Sequence, residues 1–430
     1  MIIPVEIIQI ILEFSDFKTQ LNLTELSKEC NNYLKIFEIK DTMTITQEIL
    51  HQKKYDKLKK LDVAYNKKVY NVNHLKDTLI ELNCTSTGRH PCGIKQNGIQ
   101  ELKKLEILES WGNYEIKNVN HLKNTLLVLK CGDNSGVNQE GINELLKLKK
   151  LYAKNNKKIK NVNHLKNTLK KLVCGGERCG INQDGISELY NLKTLNVEGN
   201  SRIFDVNHLK NNLIKLNCGY DSGIRQKGIQ ELNILQKLNV IDNINIYDVN
   251  HLKYTLYDLD CSHNSGITQK GIQSLNKLQK LNAGCNTKIK NVNHLKETLI
   301  CLSCYGNCGI GQNGITDLKI LEKLYASNNS KINSVNHFEN TLIKLSCGGN
   351  CGIEQNEIIK LKKLKKLWTS DNDKIYDLNH LQNTLIFLNC SDNSGINKKG
   401  IEELKNLKEL ICYGNSKMEN LESRLQLKYE

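Results

Sequence analysis

A leucine frame, LxxLx(C/V/A)xxN, constrains the fold of this chain more than any other feature, because it recurs seventeen times between Leu58 and Leu407. From Leu105 onward the copies begin 21 to 23 residues apart. The one long step, 26 residues from Leu79 to Leu105, contains the insertion TSTGRHPCG. A fixed period of this size predicts a repeat architecture, in which each coil buries its apolar side chains against its neighbours.

Each copy of the frame also predicts a short strand. Side chains at frame positions 4 and 6, such as Leu129 and Cys131, lie on one face of a strand, and those at positions 5 and 7 lie on the other. Position 6 holds cysteine in nine copies, which suits a small buried side chain. The asparagine at position 9, present in fourteen copies, is expected to turn the chain and to form a ladder along the coils.

Eight of the eleven histidines lie in the motif NVNHLK or a close variant, 43 to 47 residues apart. This spacing puts one histidine on every second coil, about 10 Å from the next. Histidine ligands bind zinc at about 2.0–2.1 Å, so neighbours cannot share an ion. The CxxC at Cys301 and Cys304 places its thiols on opposite faces of a strand. We therefore predict no metal site and no cofactor.

The motif is better explained as a turn. Ile159, Val162 and Leu165 recur every third residue, which predicts a 3₁₀ turn facing the core, with Asn163 as its N-cap. In the alternate coils, Gly136 and Gly141 allow the bends, and Ile142 and Leu145 return to the core.

The frame resembles the leucine-rich repeat, and the resemblance covers residues 58–415, about seventeen coils paired in a 43-residue unit. It implies an α/β repeat solenoid, a horseshoe or arc with a parallel sheet on its concave side. Residues 42–57 are expected to be a linker or N-terminal cap, and residues 416–430 a C-terminal cap.

Residues 1–41 precede the repeat and resemble an F-box. The match rests on Ile3-Pro4-Val5-Glu6, the apolar Ile10-Ile11-Leu12 and Leu26-Ser27-Lys28, while the usual tryptophan after that lysine is missing. The resemblance implies docking to a Skp-type adaptor of a cullin ubiquitin ligase, with the repeats holding a target protein. The residues implied in adaptor binding are Pro4, Ile7, Ile8, Ile11 and Leu12. The alternative is that this segment only caps the first coil.

The predicted target surface is the concave face of the sheet. Positions 5 and 7 hold mostly Asn, Asp, Ser or Gly, and solenoids commonly bind partners on this side. Exposed aromatic side chains are favoured at protein-binding hot spots. The predicted target-binding residues are the six aromatic exceptions, Trp111, Tyr152, Tyr305, Tyr325, Trp368 and Tyr413. Aromatic residues scattered along a long sheet, without a binding role, are the alternative.

Other functions find less support in the sequence. The net charge of +15 comes largely from lysines at fixed repeat positions, typical of a solvated face, so nucleic-acid binding is not favoured. Gly309, Gly311 and Gly314 match G-x-G-x-x-G only as one copy of the frame, and no other catalytic motif occurs. We therefore predict a non-enzymatic binding protein with no membrane segment. Sixteen cysteines without a signal peptide favour a reducing, cytoplasmic location. The Lys/Asn-rich repeats also resemble F-box and leucine-rich-repeat proteins of giant DNA viruses, which would place it in host cytoplasm.

Overall fold

The computed structural model describes residues 4–13, 15, 17–27, 30, 33–40 and 44–418. The chain divides into two compact units, Met1–Leu213 and Ile214–Glu430. Each unit is a stack of coils with parallel strands of two or three residues, separated mostly by short 3₁₀ turns. The fold is the predicted leucine-rich-repeat solenoid.

The first unit contains these strands: β1 (Glu38–Ile39), β2 (Lys60–Asp62), β3 (Glu81–Asn83), β4 (Ile107–Glu109), β5 (Val128–Lys130), β6 (Lys150–Tyr152), β7 (Lys171–Val173) and β8 (Thr194–Asn196). The second unit contains β9 (Lys215–Asn217), β10 (Lys237–Asn239), β11 (Asp258–Asp260), β12 (Lys280–Asn282), β13 (Cys301–Ser303), β14 (Lys323–Tyr325), β15 (Lys344–Ser346), β16 (Lys366–Trp368), β17 (Phe387–Asn389) and β18 (Glu409–Ile411).

Helical segments are short. The α-helices of the described residues are α1 (Val5–Glu13), α2 (Phe17–Glu25), α3 (Gln47–Leu50) and α4 (Gln355–Ile358). The 3₁₀ helices of the histidine motif are Asn73–Leu75, Asn120–Leu122, Asn163–Leu165, Asn207–Leu209, Asn250–Leu252, Asn293–Leu295, Asn336–Phe338 and Asn379–Leu381. The others are Lys53–Tyr55, Gln96–Gly98, Glu140–Ile142, Asp184–Ile186, Gln226–Ile229, Lys270–Ile272, Gln312–Gly314, Lys399–Ile401 and Ser416–Met418. No helix in the described part of the chain is long and apolar enough to cross a bilayer.

The sheet begins one coil before the first predicted copy of the frame. Strand β1 pairs in parallel with β2, and Ile39 aligns with Leu61. Ile36 and Ile39 are buried, as the first and fourth positions of the frame require. The sequence hides this coil because isoleucine replaces both leucines. Residues 42–57, predicted as a linker or N-terminal cap, include α3, whose Gln47 bonds to the next coil.

The predicted core positions are buried along both units. Leu129, Leu151 and Ala153 have no exposed surface, and Ile159, Val162 and Leu165 line the core from the 3₁₀ turn. Complete burial of one such side chain contributes about 1.5–3 kcal/mol. The cysteines at position 6 are buried too, except Cys412 in the last copy, which is half-buried. Burial raises the pKa of these thiols, so they remain protonated at neutral pH.

The position-9 asparagine forms a ladder in every second coil. Asn156 Nδ2 donates to the carbonyls of Cys131 at 2.7 Å and Val137 at 3.0 Å in the preceding coil, and its Oδ1 accepts from the Lys158 N–H at 2.9 Å. In the intervening coils this asparagine is exposed, as at Asn134. In most of these coils the next residue, a serine or a cysteine, is buried instead, as at Ser135. The predicted continuous ladder is therefore wrong, because the two coil types close at different residues.

The turn at frame position 8 requires a left-handed residue in both coil types. In sixteen of the seventeen copies the residue at position 8 has φ between 53° and 89°, the exception being Ser86 in the copy that carries the insertion. This conformation costs an L-residue about 1–2 kcal/mol, and Gly, Asn and Asp tolerate it best. Tyr220 and Cys285 nonetheless adopt it, so the stacking of coils imposes the turn.

The 3₁₀ turn of NVNHLK is confirmed, but its capping residue differs from the prediction. Asn161 Oδ1 accepts from the N–H of Asn163 at 2.9 Å. Asn163 instead reaches the next coil, where its Nδ2 donates to the Asp184 carbonyl at 2.7 Å and its Oδ1 accepts from the Glu188 N–H at 3.0 Å. The prediction of Asn163 as N-cap is wrong, because the neighbouring coil supplies better partners than its own turn.

Glutamines at one position of the repeat form a second ladder, which the sequence pattern did not predict. Gln139 Oε1 accepts from the N–H groups of Lys160 at 3.0 Å and Asn161 at 2.9 Å, and its Nε2 donates to the Asn161 carbonyl at 2.9 Å. Gln139 therefore satisfies three backbone groups of the following coil. The equivalent residues are Gln47, Gln96, Gln183, Gln226, Gln269, Gln312 and Gln355.

Candidate protein-binding surface

The open face of the sheet is defined here by frame positions 3, 5 and 7, whose side chains point away from the core. Position 3 is the first residue of each strand and position 5 the third, and both are partly exposed in most strands. The predicted binding surface comprised positions 5 and 7 only. Side chains of a strand alternate between its two faces, so position 3 lies on the same face as positions 5 and 7. This alternation could have added position 3 to the predicted binding surface.

Polar side chains on the open face are ordered by the strands themselves. Asn239 Oδ1 accepts from the N–H of Ile241 at 3.0 Å. Asn282 Oδ1 accepts from the N–H of Gly284 at 3.2 Å, and its Nδ2 donates to Asp260 Oδ2 at 3.0 Å. These carboxamides close the ends of the strands, which gives the face a polar and preorganised surface.

In the first unit, Trp111 and Tyr152 lie against the sheet and are both half-buried. The Trp111 ring rests on Gly132, where a Cβ atom would overlap the indole. The Tyr152 ring has the ammonium groups of Lys171 and Lys130 at 4.9 Å and 5.7 Å from its centroid. The structure does not bring these two aromatic rings into contact with each other.

In the second unit, Tyr305 also covers a glycine. Its ring occupies the space above Gly284, and its hydroxyl lies 3.1 Å from His263 Nε2. Burial raises the pKa of the Tyr305 hydroxyl. Tyr413, in the last copy of the frame, is the most exposed of the six predicted residues, with 75% of its surface accessible.

Tyr325 and Trp368 belong to a group of three rings that we call the aromatic cluster, Tyr325, Trp368 and Phe387. The centroids of Tyr325 and Trp368 are 6.4 Å apart, and those of Trp368 and Phe387 are 4.8 Å apart. The small Ser346 on the intervening strand leaves room for the first contact. Phe387 was missed because it occupies position 3. Of the six predicted residues, the structure brings only Tyr325 and Trp368 together within its described part.

Several lysines of the open face are neutralised by a carboxylate on the adjacent strand. Lys60 lies 3.0 Å from Glu81, and Lys237 lies 3.0 Å from Asp258. The acid raises the pKa of each of these lysines through a side-chain hydrogen bond. Since the lysines are partly exposed, such pairs contribute little to stability.

The motif histidines have a structural role. His164 Nε2 lies 3.0 Å from the carbonyl oxygen of Ile142 in the preceding coil. A carbonyl only accepts, so Nε2 carries the proton and donates. The same contact, at 3.0–3.2 Å, is made by His121, His208, His251, His294, His337 and His380. No group of three potential metal ligands occurs among the described residues.

A second candidate surface lies on α1 in the first unit. Ile7, Ile10 and Ile11 share one face of the helix and expose 48%, 56% and 48% of their surface. Pro4 is exposed as well, whereas Leu12 is buried in a small cluster with Cys30 and Leu34, against which Ile8 packs. Of the residues implied in adaptor binding, Pro4, Ile7 and Ile11 are therefore accessible, and Ile8 and Leu12 support the helix from below. Ile3, Lys28 and the C-terminal 419–430 lie outside the described residues.

Comparisons with known proteins identify similar structures. An internalin from Listeria monocytogenes is 19% identical over 70% of this chain and 84% of its own, with a TM-score of 0.45. The functional domain of InlJ from Listeria monocytogenes, described as including a cysteine ladder, is 20% identical over 74% of this chain and 75% of its own, with a TM-score of 0.49. The yeast Rad7 and Elc1 complex contains a chain 16% identical over 68% of this chain and 84% of its own, with a TM-score of 0.42.

At such low identity these proteins are similar to this chain in fold, and their partners carry nothing over to it. No protein-family model matches the sequence. No curated protein matches it either. The coils, the frame and the ladders described above identify the fold as a leucine-rich-repeat solenoid on the chain's own evidence.

Proposed function

We propose that the protein is a non-catalytic scaffold that binds a partner protein on the open face of its second unit, through the aromatic cluster. The observation that carries this proposal is the contact of three aromatic rings on a face lined mostly by polar side chains. Aromatic side chains provide a large rigid contact area at small entropic cost, and a polar rim excludes water from such a centre.

Replacement of Tyr325 and Trp368 by alanine is expected to weaken partner binding at least about tenfold, because truncating a hot-spot residue costs about 2 kcal/mol or more. The melting temperature should stay nearly unchanged, since neither side chain belongs to the core. Candidate partners would be captured with the full chain, purified, and their direct binding measured by calorimetry. The double change Tyr247→Ala and Tyr254→Ala removes two exposed aromatic rings elsewhere in the same unit and serves as the control. Equal losses in both variants would contradict the assignment.

A second proposed role is that of a substrate receptor in a cullin ubiquitin ligase, in which α1 docks a Skp-type adaptor. It is supported by the isoleucine face of α1, which remains exposed although the helix is anchored to the first coil. In α1, Gln9 Oε1 accepts from the Lys35 N–H at 2.7 Å, and in the neighbouring α2, Gln20 Oε1 accepts from the Phe37 N–H at 3.3 Å. These polar contacts would be enough to hold a plain cap on the first coil. A plain cap does not require three exposed isoleucines.

The double change Ile7→Lys and Ile11→Lys is expected to abolish binding of a purified Skp-type adaptor, because two charges would be placed in an apolar contact. The repeats should remain folded. Asn22→Lys, on the exposed side of α2, is the control and should leave binding intact. Ile8→Lys is unsuitable, since Ile8 packs against the buried cluster. If the unaltered protein does not bind the adaptor, the segment is a cap.

We also propose that the protein acts in a reducing compartment, the cytoplasm, or host cytoplasm if the chain is viral. All sixteen cysteines are free, and most are buried. Thiols of this kind persist where disulfides are rare.

A further inference from the structure

We propose that the partner segment held by the second unit is acidic: its carboxylates contact a row of three lysines, and its apolar side chains contact the aromatic cluster. The lysine row is Lys323, Lys344 and Lys366, the first residues of β14, β15 and β16. This inference deepens the proposed function and rests on it, because it assigns the partner's chemistry at the same surface.

The lysine row concentrates positive charge. Lys323 aligns with Lys344, and Lys344 aligns with Lys366, on adjacent parallel strands. Adjacent strands lie about 4.8 Å apart. Like charges directly opposite each other on a sheet are destabilising. An anion bound across the row would relieve this repulsion.

The row also lacks the carboxylates that neutralise equivalent lysines. Lys60 and Lys237 occupy the same frame position and form ion pairs with Glu81 and Asp258. Within the described residues, no such ion pair involves the lysine row. The Lys366 ammonium instead lies 5.4 Å from the centroid of the Phe387 ring, which joins the row to the aromatic cluster.

The positive row is short. Toward the N-terminal side, β13 has the uncharged Cys301 at this position, and Lys280 on β12 aligns with Asp258 on β11. Toward the C-terminal side, β17 has Phe387 and β18 has Glu409. The uncompensated charge therefore covers three strands, or about 10 Å, which suits a few carboxylates of a peptide rather than a long polyanion.

Lysines and aromatic residues form two neighbouring rows. Lys323 and Tyr325 are two residues apart on β14, as are Lys366 and Trp368 on β16, which separates their Cα atoms by about 6.6 Å. An extended peptide that crosses the strands directs alternate side chains to its two sides. A segment with acidic and apolar residues in alternation therefore fits both rows at once.

Protein fits this site better than single-stranded nucleic acid. Nucleic-acid bases stack on open ring faces. In the aromatic cluster the rings pack on one another, with interplanar angles of 49° for Tyr325 and Trp368 and 42° for Trp368 and Phe387. Their faces are thus partly covered, and Phe387 is itself buried.

The experiment uses the full chain with Trp111→Phe, which leaves Trp368 as the one remaining tryptophan and hence a local fluorescence probe. The titrant is a blocked peptide of about eight residues in which glutamate and leucine alternate. We expect saturable binding with a change in Trp368 emission, weakened about tenfold or more between about 50 and about 300 mM NaCl. A peptide with glutamine in place of glutamate should bind at least about tenfold more weakly.

Two charge-matched variants complete the test. Lys323→Glu with Lys344→Glu should abolish binding of the glutamate–leucine peptide, whereas Lys290→Glu with Lys296→Glu, exposed in a turn of the same unit, should not. Equal binding of the glutamine peptide, or equal loss in both variants, would overturn the inference. So would tighter binding of a single-stranded oligothymidylate at the same site. If a captured partner depends on Tyr325 and Trp368 but not on the lysine row, the proposed function stands and the acidic partner is refuted. If it depends on neither set, both fail.

Discussion

The change Asn286→Ala is expected to lower the free energy of unfolding by on the order of 3 kcal/mol or more. Asn286 Nδ2 donates to the carbonyls of Cys261 at 2.9 Å and Ile267 at 3.3 Å, and its Oδ1 accepts from the Lys288 N–H at 2.9 Å. The side chain is 1% exposed, so water does not replace it. Each buried polar group left without a partner costs about 1–3 kcal/mol.

The chain provides a matched control for this change. Asn264 occupies the same frame position in the adjacent coil, but its side chain is exposed. Asn264→Ala should therefore alter the free energy of unfolding by no more than about 0.5 kcal/mol. Both variants would be measured by urea denaturation followed by circular dichroism. Similar effects of the two changes would show that the ladder in alternate coils does not hold the stack together.

The second large effect is a loss of stability in mild acid. Burial lowers the pKa of all eight motif histidines below the ordinary value of 6.5: His74, His121, His164, His208, His251, His294, His337 and His380. Below pH 6.5 the unfolded chain therefore binds more protons than the folded chain. The stabilisation is complete above this pH and is lost as the pH falls through the lowered values.

We expect the melting temperature to fall by on the order of 5 °C between about pH 7 and about pH 5.5, measured by scanning calorimetry. The histidines should not contribute equally. In three of them a nearby aspartate raises the pKa of the histidine and so offsets part of the burial effect. The pairs are Asp205 with His208, Asp248 with His251, and Asp377 with His380. The pKa of His121, His164 and His294 is raised only by the backbone hydrogen bond.

Two triple variants separate these groups. Glutamine can donate the same hydrogen bond but does not titrate. Glutamine at positions 121, 164 and 294 should reduce the acid-induced decrease more than glutamine at positions 208, 251 and 380. A decrease that is unchanged in the first variant would show that other groups, not the histidines, cause the acid sensitivity.

The period of the sequence determined much of the fold. Leucines and cysteines at fixed positions indicated the strands, the core and the direction of alternate side chains, because burial in a sheet requires a period of two and stacking requires a constant coil length. The 3₁₀ turn at Ile159, Val162 and Leu165 followed from apolar residues at every third position. These predictions held because they depend on hydrophobic pattern, which is read along the chain.

Hydrogen-bond partners depended on the tertiary structure. Asn134 and Asn156 share a frame position, yet only Asn156 bonds to the preceding coil. Asn163 was assigned to its own turn but bonds to residues about twenty positions later. The role of Gln139 likewise requires backbone groups that another coil provides. Such partners are distant in sequence, so a local pattern does not reveal them.

The two candidate surfaces were likewise determined partly by the sequence and partly by the tertiary structure. Periodicity placed Tyr325 and Trp368 on one face, because strand alternation decides direction. Their contact, and the addition of Phe387 from a neighbouring strand, depended on strand register and on the small Ser346 between them. On α1, spacing placed the isoleucines on a helix, but packing against Cys30 and Leu34 decided that Ile8 and Leu12 face inward while Ile7 and Ile11 remain exposed. Side-chain direction follows from the local backbone, whereas contact and exposure follow from what the rest of the chain places beside it.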